Sequence, residues 1–450
     1  MKAHIKDLLH KLTGYYQRYG RRPESLYDLL LSLMMWELVS VREEAKGNGL
    51  KNTDPGMAYQ NVMRRSVTPK AIATALRGCE KQYSALLKGL MLTDKENLDN
   101  LPDELWRFTS DTWIYFRNRH GDKQVLIDVA DYLETQVADP RSEAGHLTPK
   151  AVVNAMVQYL VVEDGTSVYD PYPRTGNMLA AVAEKINSAR IKGMLPAERL
   201  TQKIMLLRFL LLGKAEELLI DCVNNETKMD RAQEFDYIIS NPPFGTRNTA
   251  DPALPGVITG NWLRMAQGSN RLDVGFICHI LSSLSKKGKA AVIVPVIYLS
   301  SHNTVVEALV KEIVDMNLLD MVVKLPGDLF ANTKIASAIL FFSKSRKDNQ
   351  PVYFMDAAVD QKGKQFFDAE SKLGEWIDQI KTNTADEDIW STSVSIIKQN
   401  QYLLQPEQYK QVRELKEELK TAQQLWEACE ELEQQLIQSR QVIKQFINQQ

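Results

Sequence analysis

The run Phe235-Asp236-Tyr237-Ile238-Ile239-Ser240 leading into Asn241-Pro242-Pro243-Phe244-Gly245 constrains this chain more than any other part of it. Its aromatic and β-branched residues suit a buried strand. The strand must stop at Asn241, because two successive prolines lack the backbone donor that a ladder requires. The segment after the strand is short, rigid and rich in carbonyls, with one aromatic ring. By residue type alone the competing reading is a proline-rich turn with Phe244 as ordinary core.

The residue types at the strand end suit one kind of chemistry. The Asn241 side-chain oxygen and the Pro242 carbonyl can accept both hydrogens of an exocyclic amine and draw its nitrogen toward a tetrahedral shape. A lone pair otherwise delocalised into a ring then points at an electrophilic methyl group for in-line displacement. Positioning and carbonyl dipoles carry most of such a reaction, and no separate base is needed. Pro243 completes the rigid turn, and Phe244 would stack on a flipped-out base, a contact worth about 1–3 kcal/mol. The candidate catalytic set is therefore Asn241, Pro242, Pro243 and Phe244.

Some seventy residues upstream, Ser167-Val168-Tyr169-Asp170-Pro171-Tyr172-Pro173-Arg174-Thr175-Gly176-Asn177 reads as a strand and a tight turn, and Leu179, Ala180, Val182, Ala183 and Ile186 as the helix after it. Turns of this kind at carboxyl ends of strands are where α/β sheets hold nucleotide-like cofactors. Before it, Gly145-His146-Leu147-Thr148-Pro149-Lys150 precedes an amphipathic run containing Val152, Val153, Met156, Tyr159 and Leu160. Thr148 suits an N-cap and Pro149 a first helical residue. A helix N-terminus there would favour a cofactor carboxylate.

These segments, in this order, resemble the modification subunit of type I restriction–modification systems, an N6-adenine DNA methyltransferase family with the cofactor motif ahead of the catalytic one. The resemblance is strongest over residues 140–345. Gly145 to Lys150 is similar to the family's aromatic-Thr-Pro-Arg segment, with Leu147 and Lys150 as substitutions. Asp170-Pro171 and Thr175-Gly176 resemble its cofactor loop, and Asn241 to Gly245 matches its catalytic motif without change. Asp273-Val274-Gly275-Phe276 and Leu325-Pro326 through Phe330 and Thr333 resemble two further family segments. The resemblance implies S-adenosylmethionine as cofactor, held by Gly145, His146, Leu147, Thr148, Pro149, Lys150, Asp170, Arg174, Thr175, Gly176, Asn177 and Asp221. Two departures stand out. Arg174 and Asn177 occupy positions where the family loop has glycine or a small residue, and Leu195 stands where an acid normally meets the cofactor's ribose.

The expected fold is α/β, a Rossmann-like doubly wound methyltransferase domain with an N-terminal all-helical domain and a C-terminal coiled-coil-like helix. The expected domains are residues 1–138, 139–395 and 396–450. Tyr27, Leu30, Leu31, Met34 and Leu38 recur at helical spacing in the first, where Arg64, Arg65, Arg117 and Arg119 are candidate phosphate contacts. In the second, a helix is expected to end near Gly288, with strands at 290–295, 321–325 and 339–342 in a parallel sheet, and 382–388 as a linker. From Gln411 an apolar seam through Val412, Leu415, Leu419, Ala422, Trp426, Cys429, Leu432 and Leu436 asks for another helix. Asn400 to Tyr409 is similar to a family segment just before it.

The resemblance implies double-stranded DNA as substrate, a specificity subunit bound through the C-terminal helix, a second copy of the chain, and a restriction subunit as an optional addition. The 450 residues carry a net charge of −2, so DNA contact requires a local basic patch or a partner's surface. Four scattered cysteines without CxxC spacing indicate neither a zinc site nor a disulfide frame. The lack of a signal-peptide pattern or membrane-length apolar run points to the cytoplasm. No Gly-x4-Gly-Lys-Ser/Thr loop occurs, which argues against a translocating role. Two other readings remain open at this point: a catalytically silent assembly protein, and an amino-methyltransferase acting on protein glutamine or RNA guanine.

Overall fold

The computed structural model describes residues 2–45, 68–82, 90–91, 101–120, 123–137, 148–193, 198–213, 233–245, 258–300, 304–327, 336–357, 369–382, 389–410, 426, 429–430 and 432. Gly145, His146, Leu147, Leu195, Asp221, Arg64, Arg65, Phe330 and Thr333, and the side chains of Arg117 and Arg119, lie outside the described residues. The chain divides into two compact units, Met1–Gln408 and Tyr409–Gln450.

The described part of residues 2–137 is helical: α1 (Lys2–Arg18), α2 (Pro23–Ala45), α3 (Pro69–Gln82), α4 (Asp103–His120) and α5 (Lys123–Val137). Of the stripe expected in α2, Tyr27, Leu30, Leu31 and Met34 are buried and Leu38 is half-buried against the same core. Next come α6 (Lys150–Leu160), β1 (Thr166–Asp170), α7 (Asn177–Lys185), β2 (Ala189–Gly193), α8 (Arg199–Leu212) and β3 (Phe235–Ser240). Beyond them lie α9 (Gly260–Gln267), α10 (Leu272–Ser282), β4 (Leu284–Pro295), α11 (Thr304–Asp315), β5 (Leu319–Lys324) and β6 (Ser337–Ser343). The first unit ends with β7 (Val352–Asp356), α12 (Ala369–Thr382), β8 (Ile389–Thr392), α13 (Val394–Gln399) and a 3-10 turn at Pro406–Gln408.

The eight strands form one sheet in the order β2-β1-β3-β4-β6-β5-β7-β8. Strands β2, β1, β3 and β4 are mutually parallel. The expectation of a parallel sheet needs correction beyond β4, since β6 runs antiparallel to both β4 and β5, and β8 antiparallel to β7. Returning β5 directly to an antiparallel neighbour removes the need for a crossover helix. Strand β6, Ser-Ala-Ile-Leu-Phe-Phe-Ser, is buried along its whole length, as a central strand covered on both faces requires.

The helix expected to end near Gly288 stops at Ser282, and β4 begins at Leu284. A Cβ on Gly288 would lie 2.9 Å from the Phe235 carbonyl oxygen, beside a register shift between Phe235 and Tyr237. The glycine therefore marks an irregularity in the sheet and a close backbone approach, not a helix end. Residues 396–408, placed by sequence in the tail, pack on the sheet unit: the Leu404 N–H donates to Leu299 O at 2.8 Å, and Lys324 pairs with Glu407. In the second unit, Trp426 and Leu432 are helical and exposed. Among the described residues no helix is long and apolar enough to cross a membrane.

Candidate active site

The site lies where β1 and β3 end side by side. Their register pairs Val168 with Tyr237 and Tyr169 with Ile238, so Asp170 and Ser240 emerge together at the carboxyl edge. The Ser240 hydroxyl donates to Asp170 Oδ1 at 2.7 Å, and the Tyr172 backbone N–H donates to the same oxygen at 2.9 Å. Burial pushes the Asp170 carboxyl up to about 7 despite these bonds, which favour the charged form. Desolvation is the larger effect.

Immediately beyond Ser240 the chain leaves the sheet at Asn241. Pro242 and Pro243 are buried, while Asn241 and Phe244 are half-buried. Phe244 packs against the main apolar cluster, and the Gly245 carbonyl accepts from Leu272 N at 2.9 Å. That bond ties the turn to the start of α10, where Asp273 is buried and paired with Arg271 at 2.8 Å. One member of the family-like Asp-x-x-Phe segment, Phe276, makes an edge contact with Tyr172 of the upstream loop, ring centroids 5.7 Å apart.

The expectation that Thr148 caps the following helix needs correction. Helix α6 begins at Lys150 with Pro149 as its N-cap residue and no side-chain cap bond. The buried Thr148 hydroxyl instead accepts a hydrogen bond from Asn241 Nδ2 at 3.0 Å. Its backbone carbonyl receives Asn177 Nδ2 at 3.4 Å, and Asn177 Oδ1 accepts from Met178 N at 2.9 Å at the start of α7. Three segments far apart in sequence thus meet at Thr148. Lys150 is exposed at the first position of α6.

The loop after β1 has the shape a nucleotide-like group requires, turning into a helix N-terminus. Arg174 (φ 51) and Gly176 (φ 74) both take left-handed backbone conformations. Left-handed backbone favours glycine, and at position 174 an arginine occupies that geometry. Burial lowers the proton affinity of its guanidinium, opposed by the charges of Tyr172, Glu134 and Glu198. Thr175 is buried, and its hydroxyl donates to Glu134 of α5. Glu134 was not legible in the sequence, where it is one acid on a helix forty-one residues from its partner. Among the described residues no group of three or more His, Cys, Asp or Glu side chains could hold a metal ion.

A methyltransferase-like α/β sheet with a cofactor-type turn after one strand and Asn-Pro-Pro-Phe after its neighbour defines the class. The sequence profile of N-6 DNA Methylase matches residues 121–418, and the chain belongs to that family. The methyl donor is S-adenosylmethionine. The chain is 24% identical over 311 residues to the type I restriction enzyme HindI methylase subunit of Haemophilus influenzae, covering 64% of this chain and 69% of that one. It is 24% identical over 250 residues to the EcoEI methylase subunit of Escherichia coli, of which the match spans 49%. A type I restriction–modification methyltransferase subunit from Streptococcus thermophilus superposes with a TM-score of 0.66 at 19% identity, covering 91% of this chain and 98% of that one.

Proposed function

We propose that this chain methylates adenine N6 in duplex DNA as the modification subunit of a type I-like restriction–modification assembly. The observation that carries the reading is the orientation of Asn241. Its amide nitrogen is engaged by the Thr148 hydroxyl at 3.0 Å, which turns the carboxamide oxygen into the group left to accept from an incoming amine. The rigid Pro242 carbonyl is the second acceptor. Together they hold both amine hydrogens of a flipped adenine and direct the nitrogen lone pair along the transfer line. Phe244 offers a ring for stacking, and Pro243 fixes the turn between them.

S-adenosylmethionine, when bound, supplies an electrophilic sulfonium methyl. On this chain the residues that would hold it are Thr148, Pro149 and Lys150 at the start of α6, and Asp170, Arg174, Thr175, Gly176 and Asn177 after β1. Gly145, His146, Leu147 and Asp221 are assigned to the same role by their resemblance to family segments. Transfer would form the N–C bond as the S–C bond breaks and the neutral thioether departs. The amine nitrogen, still carrying both its original hydrogens, would bear the positive charge and lose one of them to water from the hydrogen bonds to the Asn241 and Pro242 oxygens.

The helical segment 1–138 closes on DNA, and target reading belongs to a specificity subunit that packs on the tail. The exposure of Trp426 and Leu432 on helical backbone supports that docking, as does the naming of the HindI and EcoEI relatives as subunits of type I restriction enzymes. A second copy of the chain and, optionally, a restriction subunit complete the assembly.

The test is methyl transfer from labelled S-adenosylmethionine to duplex DNA by the chain co-purified with its partner. Asn241→Ala should abolish transfer, with a loss of 100-fold or more as expected for a deleted charge-stabilising group (about 10²–10³). Calorimetric cofactor affinity should stay within a few-fold. Retained transfer in that variant removes the role given to Asn241. Cofactor heat absent from both chain and complex would favour a silent scaffold instead.

A further inference from the structure

The cofactor loop is held from outside the sheet. Glu134, on the last turn of α5, is buried. One of its oxygens accepts from the Thr175 hydroxyl, and the other pairs with Arg208 of α8. Asp131, one turn earlier on α5, lies 3.7 Å from the same guanidinium. The half-buried Arg174, next to Thr175 in the chain, has Glu134 and Glu198 as its acidic neighbours.

A buried carboxylate is tolerated only when its oxygens are matched by charge and hydrogen bonds, and here both are. Two successive features of the loop need such external support. A non-glycine residue in left-handed geometry at Arg174 persists only where its surroundings over-determine it. Thr175, the next residue in the turn, is buried and has its hydroxyl anchored by a residue outside the loop. Glu134 meets the second need directly, through the Thr175 hydroxyl, and it does so from a helix that belongs to the N-terminal segment, not to the sheet.

We propose that Glu134 is a positioning residue for the cofactor loop, through which docking of the N-terminal helices and binding of S-adenosylmethionine are coupled. The inference rests on the reading of residues 170–177 as the cofactor loop. Its consequence is reciprocal: whatever moves α5 changes cofactor affinity, and cofactor binding steadies α5 by the same factor. DNA closing against the helical segment would thereby tune the methyl-donor site without touching it.

The experiment uses the full-length chain and S-adenosylmethionine itself. Calorimetric affinity is measured for wild type, Glu134→Ala, Glu134→Gln and Thr175→Val, with circular dichroism and thermal melting as checks of fold. Amide hydrogen exchange over residues 123–137 is monitored with and without cofactor. Glu134→Ala should weaken binding about tenfold or more. Glu134→Gln keeps an acceptor for Thr175 and should lose less. Thr175→Val removes the bond without stranding the Glu134–Arg208 pair, and should weaken binding severalfold even where the alanine variant fails to fold.

Cofactor should slow exchange over 123–137 in wild type and not in Thr175→Val. In transfer assays the loss should enter KM for S-adenosylmethionine, with kcat at saturation retained; a purely architectural residue would lower both with the fraction folded. Unchanged affinity in folded Thr175→Val, or exchange over 123–137 indifferent to cofactor in wild type, overturns the proposal. A wild-type chain that gives no binding heat overturns the reading of the loop itself, which is a different result.

Discussion

At the scale of single residues, Thr148 and Asp170 carry the sharpest consequences. Thr148 accepts from the Asn241 amide at 3.0 Å, so in the proposed reaction its oxygen would decide which end of that amide faces substrate. Thr148→Val offers no acceptor and leaves the amide free to flip. Methyl transfer at saturating cofactor should fall about tenfold or more, in line with a lost charge-orienting hydrogen bond of about 1.5–3 kcal/mol. Thr148→Ser should restore most of it. A valine variant with wild-type kcat would show that the contact has no part in orienting Asn241. Asp170 gives a pH signature. Its folded carboxyl is raised to about 7 from an ordinary 3.8, so the native state holds a proton that the unfolded chain has released. Its contribution to stability is therefore fully present below about pH 4, is lost as pH rises, and is gone above about 7. Asp170→Asn mimics the protonated acid and keeps an oxygen for Ser240 and Tyr172. Urea denaturation should find it more stable than wild type at pH 8, by on the order of 1–3 kcal/mol, with the gap closing toward pH 4. A gap independent of pH would mean that Asp170 titrates normally.

At the scale of elements, the turn between β1 and α7 depends on Gly176. Its φ of 74° is left-handed, and an added Cβ would sit 2.5 Å from Met205 Cγ on α8. The glycine is thus required for packing beneath the loop as well as for the turn. Gly176→Ala combines a disfavoured backbone with a clash and should destabilise by about 1–3 kcal/mol, read as a lower urea midpoint at unchanged slope. An unaltered midpoint would show that α8 shifts freely to make room. Elements of this kind were legible where local chemistry fixes them. The β3 strand and its stop at Asn241 came from β-branched residues and prolines, and α2 from its apolar stripe. The features that were not legible depend on partners distant in the chain. The antiparallel run of β6 is set by its neighbours β4 and β5, and an apolar strand reads the same in either direction. Thr148 looked like a cap because Thr-Pro commonly is one, while its true partner lies ninety-three residues on. Glu134 had no motif to mark it.

At the scale of the whole molecule, the N-terminal helices are joined to the sheet unit through α8, which faces them with two cationic contacts. One is Arg208 with Glu134. The other is deeper: Lys203, with no exposed side-chain surface, pairs with Asp28 and donates to Ser32 Oγ at 2.7 Å and to the Asp28 carbonyl at 3.2 Å. Arg199 reinforces it, donating to Met91 O at 2.7 Å and lying 3.4 Å from Asp28 Oδ2. Burial pulls the Lys203 ammonium down to about 8, with Asp28 opposing, which marks how completely water is excluded. Such a pair adds little over an apolar substitute of equal shape, yet removing one member strands the other. Lys203→Met keeps the length of the side chain and leaves the Asp28 carboxylate with Arg199 alone. The expected loss is about 3–5 kcal/mol, seen as a lower melting temperature, with faster amide exchange concentrated in α2. Pairing that change with Asp28→Leu should recover much of the loss, because no buried charge is then unmatched. If the double variant is no more stable than Lys203→Met, the cluster contributes through packing rather than charge, and the helices are held to the sheet by their apolar surfaces alone.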